Sequence, residues 1–422
     1  MDFRSKSILI VGEGVSGMSA LYTLQKQGAN CIIYDGRQAF PEDIDYDYAV
    51  VSPGVPTDNE VFEFAAKRKI KLIGELELGW LLNNDKPLIA VTGTNGKTTV
   101  TQLIGDILSR EHKVAVCGNI GIPFSSVAAA GDYDVAVVET SSFQLETTDG
   151  FRPRIACITN IDCDHLDRHK TMENYAKLKL RIAESQTSDD VLVLSQDGID
   201  AKYLEGFCPK SRVYYTALDK KVDGAYRLDD KLMFMNEVIC KRSELPLAGD
   251  FNVCNALAAI CVCRLYGVNG GVIRDVLHGF RTAAHRLQRV ARVGDKDYWD
   301  DSKGTNIAAS VQACKAMDGD TLVIMGGSDK GYEYTAFFEN MPHTVKEIAL
   351  IGETAKKIEL AAFAAGFTKV TLFDTLEAAV CYASKRNVKN VLLSPASASF
   401  DMFRNYASRG DAFIEAVRRL DK

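Results

Sequence analysis

The sequence predicts an α/β fold of three domains built on mainly parallel sheets. Three observations carry that expectation. Short apolar runs with strand character alternate with helical spacing over most of the chain. Two of those runs end in a glycine-rich loop that opens a helix. And 422 residues exceed the roughly 250–300 at which one hydrophobic core stops growing.

Taken in order, the first set of strands is expected at 8–11, 31–34, 49–51 and 72–73. It closes at Asn83-Asn84-Asp85-Lys86-Pro87, a polar, proline-ended stretch suited to a linker. The second set is expected at 88–91, 114–116, 135–138, 155–158 and 191–194. Residues 212–241 read as a strand pair turning at Asp229-Asp230, and 252–265 have apolar helical spacing. A hinge is expected near 279–285. The third set follows, with strands at 321–325, 347–351, 370–373 and 391–393.

Composition excludes several classes. Hydrophobic residues at 46% and charged residues at 25% are ordinary for a globular protein. A net charge of −6 argues against a broad nucleic-acid surface, though not against a local anion pocket. No apolar run approaches the ~18 residues that span a bilayer. The N-terminal residues run straight into a strand and do not resemble a cleaved signal. Eleven scattered cysteines without a Cys-x-x-Cys pair read as reduced core thiols of a cytoplasmic protein.

The first glycine loop is Gly12-Glu13-Gly14-Val15-Ser16-Gly17. Its spacing permits a tight turn, close approach of backbone to a phosphate, and close helix–strand packing. The following helix offers its N-terminus to an anion. Asp35 closes the next strand, where an acid could meet a ribose. A dehydrogenase binding a nicotinamide dinucleotide is the obvious reading, and the motif alone does not name the nucleotide.

The second loop is Thr92-Gly93-Thr94-Asn95-Gly96-Lys97-Thr98-Thr99, followed by a helix with Val100, Leu103, Ile104, Ile107 and Leu108 on one face. Successive N–H groups can wrap a polyphosphate. Lys97 supplies a point charge for the β- and γ-phosphates, and Thr98 a hydroxyl for Mg²⁺. Val91 stands where the general phosphate-loop pattern has its first glycine, so this is a shortened variant.

That variant, placed mid-chain, resembles the Mur ligase superfamily. Further segments match in order over almost the whole chain. They include Ser52-Pro53-Gly54-Val55-Pro56, Glu139-Thr140-Ser141-Ser142-Phe143-Gln144-Leu145, Asn160-Ile161-Asp162-Cys163-Asp164-His165-Leu166-Asp167 and Asn252-Val253-Cys254-Asn255-Ala256. His285-Arg286, Asp301-Ser302-Lys303-Gly304-Thr305-Asn306, Gly326-Gly327-Ser328-Asp329-Lys330 and Ser394-Pro395-Ala396-Ser397-Ala398-Ser399 complete the series. The Asp-Ser-Lys and Ser-Pro-Ala segments are similar to those of the D-glutamate-adding members.

The resemblance implies a Rossmann-like domain over 1–86 for a uridine-nucleotide substrate, a P-loop ATPase-like domain over 87–284, and a Rossmann-like amino-acid-binding domain over 285–422. It implies ATP-dependent ligation of D-glutamate to UDP-N-acetylmuramoyl-L-alanine through an acyl phosphate, by a monomer that uses neither nucleic acid nor membrane. Gly93, Thr94, Asn95, Gly96, Lys97, Thr98, Thr99, Asn255, Arg286 and Asp301 would then bind ATP. Val15, Ser16, Asp35, Gly36, Arg37, Ser52, Gly54, Asn119, Ser141 and Gln144 would meet the nucleotide-linked substrate. Thr305, Lys330, Ser399 and Phe400 would meet D-glutamate. Lys97, Glu139, His165, Lys179 and Lys303 would serve the chemistry. Two Mg²⁺ ions are expected, held by Thr98, Glu139, His165 and a carbamylated Lys179.

Three positions depart from the family pattern: Phe251 before the asparagine pair, Gln288 after His285-Arg286, and Ser195-Gln196-Asp197-Gly198. Other readings stay open at this stage. A sister ligase would add a different amino acid, a regulatory protein would bind nucleotide without ligation, and an oxidoreductase would use residues 12–17.

Overall fold

The computed structural model describes residues 2–246, 248–280 and 284–420. It divides into two compact units, Met1–Leu245 with Cys254–Gly279, and Pro246–Val253 with Phe280–Lys422. The hinge expected near 279–285 includes residues 281–283, which lie outside the described residues.

The first unit holds two sheets. Strands β1 (Ser7–Val11), β2 (Asn30–Tyr34), β3 (Tyr48–Val51) and β4 (Lys71–Gly74) pair in parallel in the order β2-β1-β3-β4. Side chains alternate faces along β1. Ile8 and Ile10 pack into one cluster with Leu24 of the helix Val15–Lys26, and Leu9 and Val11 into another with Val61 of the helix Glu60–Arg68. Helices on both faces explain why this sequence reads as unbroken apolar runs.

The larger sheet contains β5 (Leu88–Thr92), β6 (Val114–Gly118), β7 (Val135–Glu139), β8 (Ile155–Ile158) and β9 (Val191–Ser195). It continues through β10 (Arg212–Ala217), β11 (Gly224–Leu228), β12 (Lys231–Phe234) and β13 (Glu237–Lys241). The order is β13-β12-β11-β10-β9-β8-β5-β7-β6. All pairings from β6 to β11 are parallel, and the last two are antiparallel. The strand pair expected over 212–241 is therefore four strands. The turn at Asp229-Asp230 joins the β11–β12 hairpin as expected, but a flanking strand extends it on each side.

The polar stretch read as a linker is anchored at Asn83, while Asn84 and Asp85 are exposed. Asn83 is 5% exposed, accepts a hydrogen bond from the Tyr133 hydroxyl at 2.6 Å, and donates to the Lys86 carbonyl at 2.6 Å.

The second unit holds β14 (Gln288–Val293), β15 (Lys296–Asp300), β16 (Thr321–Met325), β17 (Val345–Leu350), β18 (Val370–Leu372) and β19 (Asn390–Leu393), in the order β14-β15-β19-β16-β17-β18. β14 and β15 form an antiparallel hairpin, and the remaining pairs are parallel. All three sheets are thus mainly parallel with helical crossovers, as the sequence predicts.

The helical segment read at 252–265 is the helix Asp250–Tyr266. Lys179 lies on the helix Met172–Leu180, which tightens into a 3₁₀ turn at Arg181–Ala183. All eleven cysteines are free, yet Cys163, Cys208 and Cys381 are exposed, so the reading of core thiols fails for those three. Among the described residues, no helix is long and apolar enough to cross a membrane.

Candidate active site

Strand order decides where chemistry can gather. In an open parallel sheet a crevice forms where consecutive connections leave a strand toward opposite sides, at the carboxyl ends. In the larger sheet β5 lies between β7 and β8. The loop after β5 therefore stands between Glu139, the last residue of β7, and the Thr159–Asn160 pair after β8.

The loop is built around two glycines. Gly93 has φ +150°, and a Cβ there would lie 1.9 Å from the Thr159 hydroxyl. Gly96 has φ +81°, and a Cβ there would lie 2.2 Å from the Asn255 Oδ1. Only glycine satisfies both conformation and space at these positions. Asn160 ties the loop down, its carbonyl accepting from the Thr94 N–H at 3.0 Å and its Oδ1 from the Asn95 N–H at 2.8 Å. The Thr159 hydroxyl donates to the Asn95 carbonyl at 2.6 Å. The helix Lys97–Leu108 starts directly from Gly96, so its positive end lies at the loop. Thr98 and Thr99 sit in its first turn, both buried.

Two amines share this loop. Lys97 Nζ donates to the Gly93 and Thr94 carbonyls, each at 2.9 Å. Lys179 Nζ donates to the same Gly93 carbonyl at 2.7 Å and lies 4.4 Å from the centre of the Tyr175 ring. Lys179 is 1% exposed. Burial, reinforced by the charge of Lys97, holds its amine well below the ordinary lysine range, against the pull of Asp164. The uncharged amine, a nucleophile, is thereby favoured.

Glu139 is 2% exposed. Its Oε1 accepts from Asn119 Nδ2 at 2.8 Å, while its buried Oε2 has no hydrogen-bond partner among the described residues. A buried carboxylate oxygen with an unused lone pair is what a hard cation requires. His165 takes a left-handed conformation, φ +52°, which is uncommon outside glycine and clusters at functional sites. Its ring lies 4.9 Å from that of Phe143. Among the described residues no three His, Cys, Asp or Glu side chains converge as a preformed metal cage.

Behind His165 lies a residue the sequence reading did not single out. His169 is buried, hydrogen-bonds through Nε2 with the Ser142 hydroxyl at 3.0 Å, and stacks on Tyr175. Burial, with His165 and Arg168 close by, holds its pKa down to about 4.

The first sheet repeats the logic. β1 lies between β2 and β3, which puts the Gly12 loop between Asp35 and Ser52. Ser52 Oγ donates to the Gly12 carbonyl at 3.3 Å, Val15 is 75% exposed at the start of the helix, and no atom lies within 4 Å of a Cβ built on Gly14. Ser16 follows in the first helical turn. Asp35 accepts the Arg37 N–H at 3.0 Å and pairs with its guanidinium across Gly36, while Gly54 lies exposed beyond Ser52. Ser141 and Gln144 are engaged with each other. The hydroxyl of Ser141 accepts from the Gln144 N–H, and the Gln144 side chain accepts from the Ser141 N–H, forming a capping box. Gln144 is 4% exposed, so its amide oxygen already serves the helix start.

In the second unit β15, β19 and β16 are neighbours, so the segments after them share one edge. Asp301 accepts from the Ser394 hydroxyl at 2.7 Å and from the Leu287 N–H at 3.2 Å, and burial pushes its pKa up to about 7. His285, also left-handed at φ +65°, hydrogen-bonds Asp300 at 2.7 Å beside Arg286. Lys303 Nζ donates to the Tyr406 hydroxyl at 3.3 Å and lies 4.6 Å from the centre of that ring. Thr305 adjoins it, its N–H donating to the Lys303 carbonyl. A bridge between Ser328 and Ala398 brings the segment of Lys330 beside that of Ser399. Ser399 is buried and Phe400 is 75% exposed.

Arg409, 1% exposed, fixes this edge. Its guanidinium donates to the Ser302 hydroxyl and carbonyl at 3.0 and 2.8 Å, and to the Ala398 and Ser397 carbonyls at 2.9 and 3.2 Å. Neither Arg409 nor Tyr406 was singled out from sequence.

The three departures have local structural uses. Phe251 packs against the core of the second unit, Gln288 accepts the His285 N–H, and Ser195 accepts the Gly198 N–H in a turn.

Comparison with known proteins follows the same outline. Residues 91–263 match the family described as the Mur ligase middle domain. The UDP-N-acetylmuramoylalanine–D-glutamate ligase of Caldanaerobacter subterraneus is 38% identical, with 100% of each chain covered. That of Clostridioides difficile is 37% identical, also over 100% of each chain. Among solved structures, a pseudomurein peptide ligase of Methanothermus fervidus aligns with TM-score 0.63 at 18% identity, over 98% of this chain and 100% of that one. A folylpolyglutamate synthase of Mycobacterium tuberculosis aligns with TM-score 0.62 at 16% identity, over 82% and 94%. At such identities the structural likenesses speak for the fold alone.

Proposed function

The chain belongs to the Mur ligase family, with its full-length relatives among the D-glutamate ligases, and from that premise we propose that it joins D-glutamate to UDP-N-acetylmuramoyl-L-alanine at the expense of ATP. The observation that carries the reading is the β7–β5–β8 edge, where a phosphate-type loop, a buried lysine amine and a half-satisfied buried carboxylate meet.

A carboxylate resists attack by an amine because its charge is delocalised, so it must first be activated. In the proposed sequence an alanyl carboxylate oxygen attacks the γ-phosphorus of ATP, the bond to the bridging oxygen breaks, and ADP leaves. The amine of D-glutamate then attacks the acyl carbon. Phosphate departs with that carboxylate oxygen, and the amine loses a proton. Transfer between anions is catalysed mainly by positioning and by positive charge.

The residues take the following parts. The loop from Gly93 to Thr99 cradles the phosphates, with Gly96 and the helix start nearest the anion and Lys97 as the mobile charge. Asn255, packed over Gly96, orients the nucleotide. Mg²⁺ would neutralise phosphate charge, held by Thr98, Glu139, His165 and a carbamate on Lys179. The orphaned Glu139 oxygen and the Lys179 amine, whose charged form burial disfavours, both suit that donor set. Two ions are proposed. Arg286 and Asp301 are assigned to ATP, and Thr305, Lys330, Ser399 and Phe400 to D-glutamate. Lys303 would neutralise charge on the transferred group. Val15, Ser16, Asp35, Gly36, Arg37, Ser52, Gly54, Asn119 and Ser141 are assigned to the nucleotide-linked substrate. Gln144 acts through Ser141.

In this reading 1–86 serve the nucleotide substrate, 87–284 ATP, and 285–422 the amino acid. The protein works as a cytoplasmic monomer, where ATP is supplied. The test is phosphate release with ATP, Mg²⁺ and UDP-N-acetylmuramoyl-L-alanine, screened over D- and L-amino acids. Release that depends on D-glutamate is expected. Release with L-glutamate in its place would overturn the specificity, and release indifferent to any amino acid would overturn ligation.

A further inference from the structure

Several side chains link the parts built on the first sheet to those built on the larger one, among them Ser19 with Ser125 and Ser126, Lys71 with Asp149, and Arg168. Arg168 follows His165 in the short helix Leu166–His169. Its Nε donates to Glu146 Oε1 at 3.2 Å, and its Nη2 to Glu146 Oε2 at 2.5 Å. The same Nη2 donates to the Val55 carbonyl at 2.9 Å, across 113 positions of sequence. The guanidinium also covers the Phe143 ring at 5.0 Å. The Arg168 and Glu146 side chains are 16% and 8% exposed, so this is a shielded, two-pronged ion pair.

Each partner belongs to a different part of the site. Val55 closes the turn that begins at Ser52, its N–H donating to the Ser52 carbonyl at 3.0 Å, and Ser52 in turn holds Gly12. Phe143 and Glu146 follow Glu139 and Ser141, and Phe143 contacts His165. Glu146 is itself fixed, its carbonyl accepting from Arg181 at 3.1 Å and its Oε1 lying 3.5 Å from His169 Nδ1. Arg168 is therefore a brace between the Ser52–Val55 turn and the Glu139–His165 segments.

A long substrate needs such a brace. If its nucleotide is held at one place and its reacting carboxylate at another, binding energy at the far end aids reaction only when the separation is fixed. A slack of about 1 Å can cost roughly a hundredfold in rate. We infer that Arg168 is a positioning residue that sets the distance from the nucleotide-holding turn to the reacting end, which makes it a determinant for the nucleotide-linked substrate rather than for ATP or the amino acid. This rests on the ligase reading above.

The experiment compares wild type, Arg168→Met, Arg168→Lys and Glu146→Gln by D-glutamate-dependent phosphate release, with melting curves for each. In Arg168→Met, KM for UDP-N-acetylmuramoyl-L-alanine should rise about tenfold or more with a fall in kcat, while KM for ATP and for D-glutamate stays within about twofold. Arg168→Lys keeps the charge but not the fork and should fall between. Glu146→Gln keeps the arginine and loosens its anchor, so it should move the same KM in the same direction even if Arg168→Met does not fold. Equal rises in all three KM values, or no rise for the nucleotide substrate in folded variants, would overturn the inference while leaving the ligase reading intact. An inactive, folded wild type would sink the ligase reading itself, and this inference with it.

Discussion

Lys179 spends its length inside protein, 1% exposed, with a ring on one side and the charge of Lys97 near the other. A buried ammonium loses its hydration, so the fold favours the neutral amine. The consequence for stability has a definite sign. The folded pKa is depressed, so between it and the ordinary lysine value the unfolded chain binds more protons, and stability rises with pH across that window. Lys179→Met keeps the volume and removes the titration. In buffer free of CO₂, the variant should melt at or above the wild-type temperature near neutral pH, and that advantage should shrink as pH rises. Its ligase turnover should fall by about a hundredfold or more, as expected for removing a group that serves the phosphoryl transfer. Melting curves from pH 7 to 10 beside a phosphate-release assay check both halves. A wild-type melting temperature that does not rise with pH relative to that of the variant would show that the amine's pKa is not depressed in the fold.

At the scale of elements, the phosphate loop is a tight connection held by its neighbours. Gly93→Ala would place a methyl group against the Thr159 hydroxyl in a backbone region that L-residues avoid. A loss of roughly 2–4 kcal/mol is expected, together with loss of nucleotide binding. Denaturant titration reads the first and calorimetry with ATP the second. An undiminished stability would mean that the loop has a different conformation. Such loops were legible in the sequence because their signal is local, a strand, glycines at set positions and a helix within a dozen residues. The central parallel strands were legible for the same reason, since strands covered on both faces are continuous apolar runs.

Edge elements were harder. The β14–β15 hairpin reads Gln-Arg-Val-Ala-Arg-Val and Lys-Asp-Tyr-Trp-Asp, half-exposed patterns with no clear period. The strand β13 is the outer strand of the larger sheet, and it and β10, between β9 and β11, have similar mixed exposure. The hidden part of the site is tertiary. Asn160 reaches back to Asn95, Arg168 to Val55 and Arg409 to Ser302, across separations of 65, 113 and 107 residues. A residue whose role is to hold a distant carbonyl leaves no mark in its own neighbourhood. Gln144 shows the converse, because its segment was recognisable while its use in a capping box was not.

At the scale of the whole molecule, the proposed reaction runs in two steps, activation of the alanyl carboxylate and then amide formation with D-glutamate. The two steps share an atom, the carboxylate oxygen that leaves with phosphate. That makes the central claim directly measurable. UDP-N-acetylmuramoyl-L-alanine carrying ¹⁸O in the alanyl carboxylate should, with ATP, Mg²⁺ and D-glutamate, yield inorganic phosphate with one ¹⁸O per amide bond formed. Phosphate without label, released at the same rate as the amide product, would contradict the acyl-phosphate account.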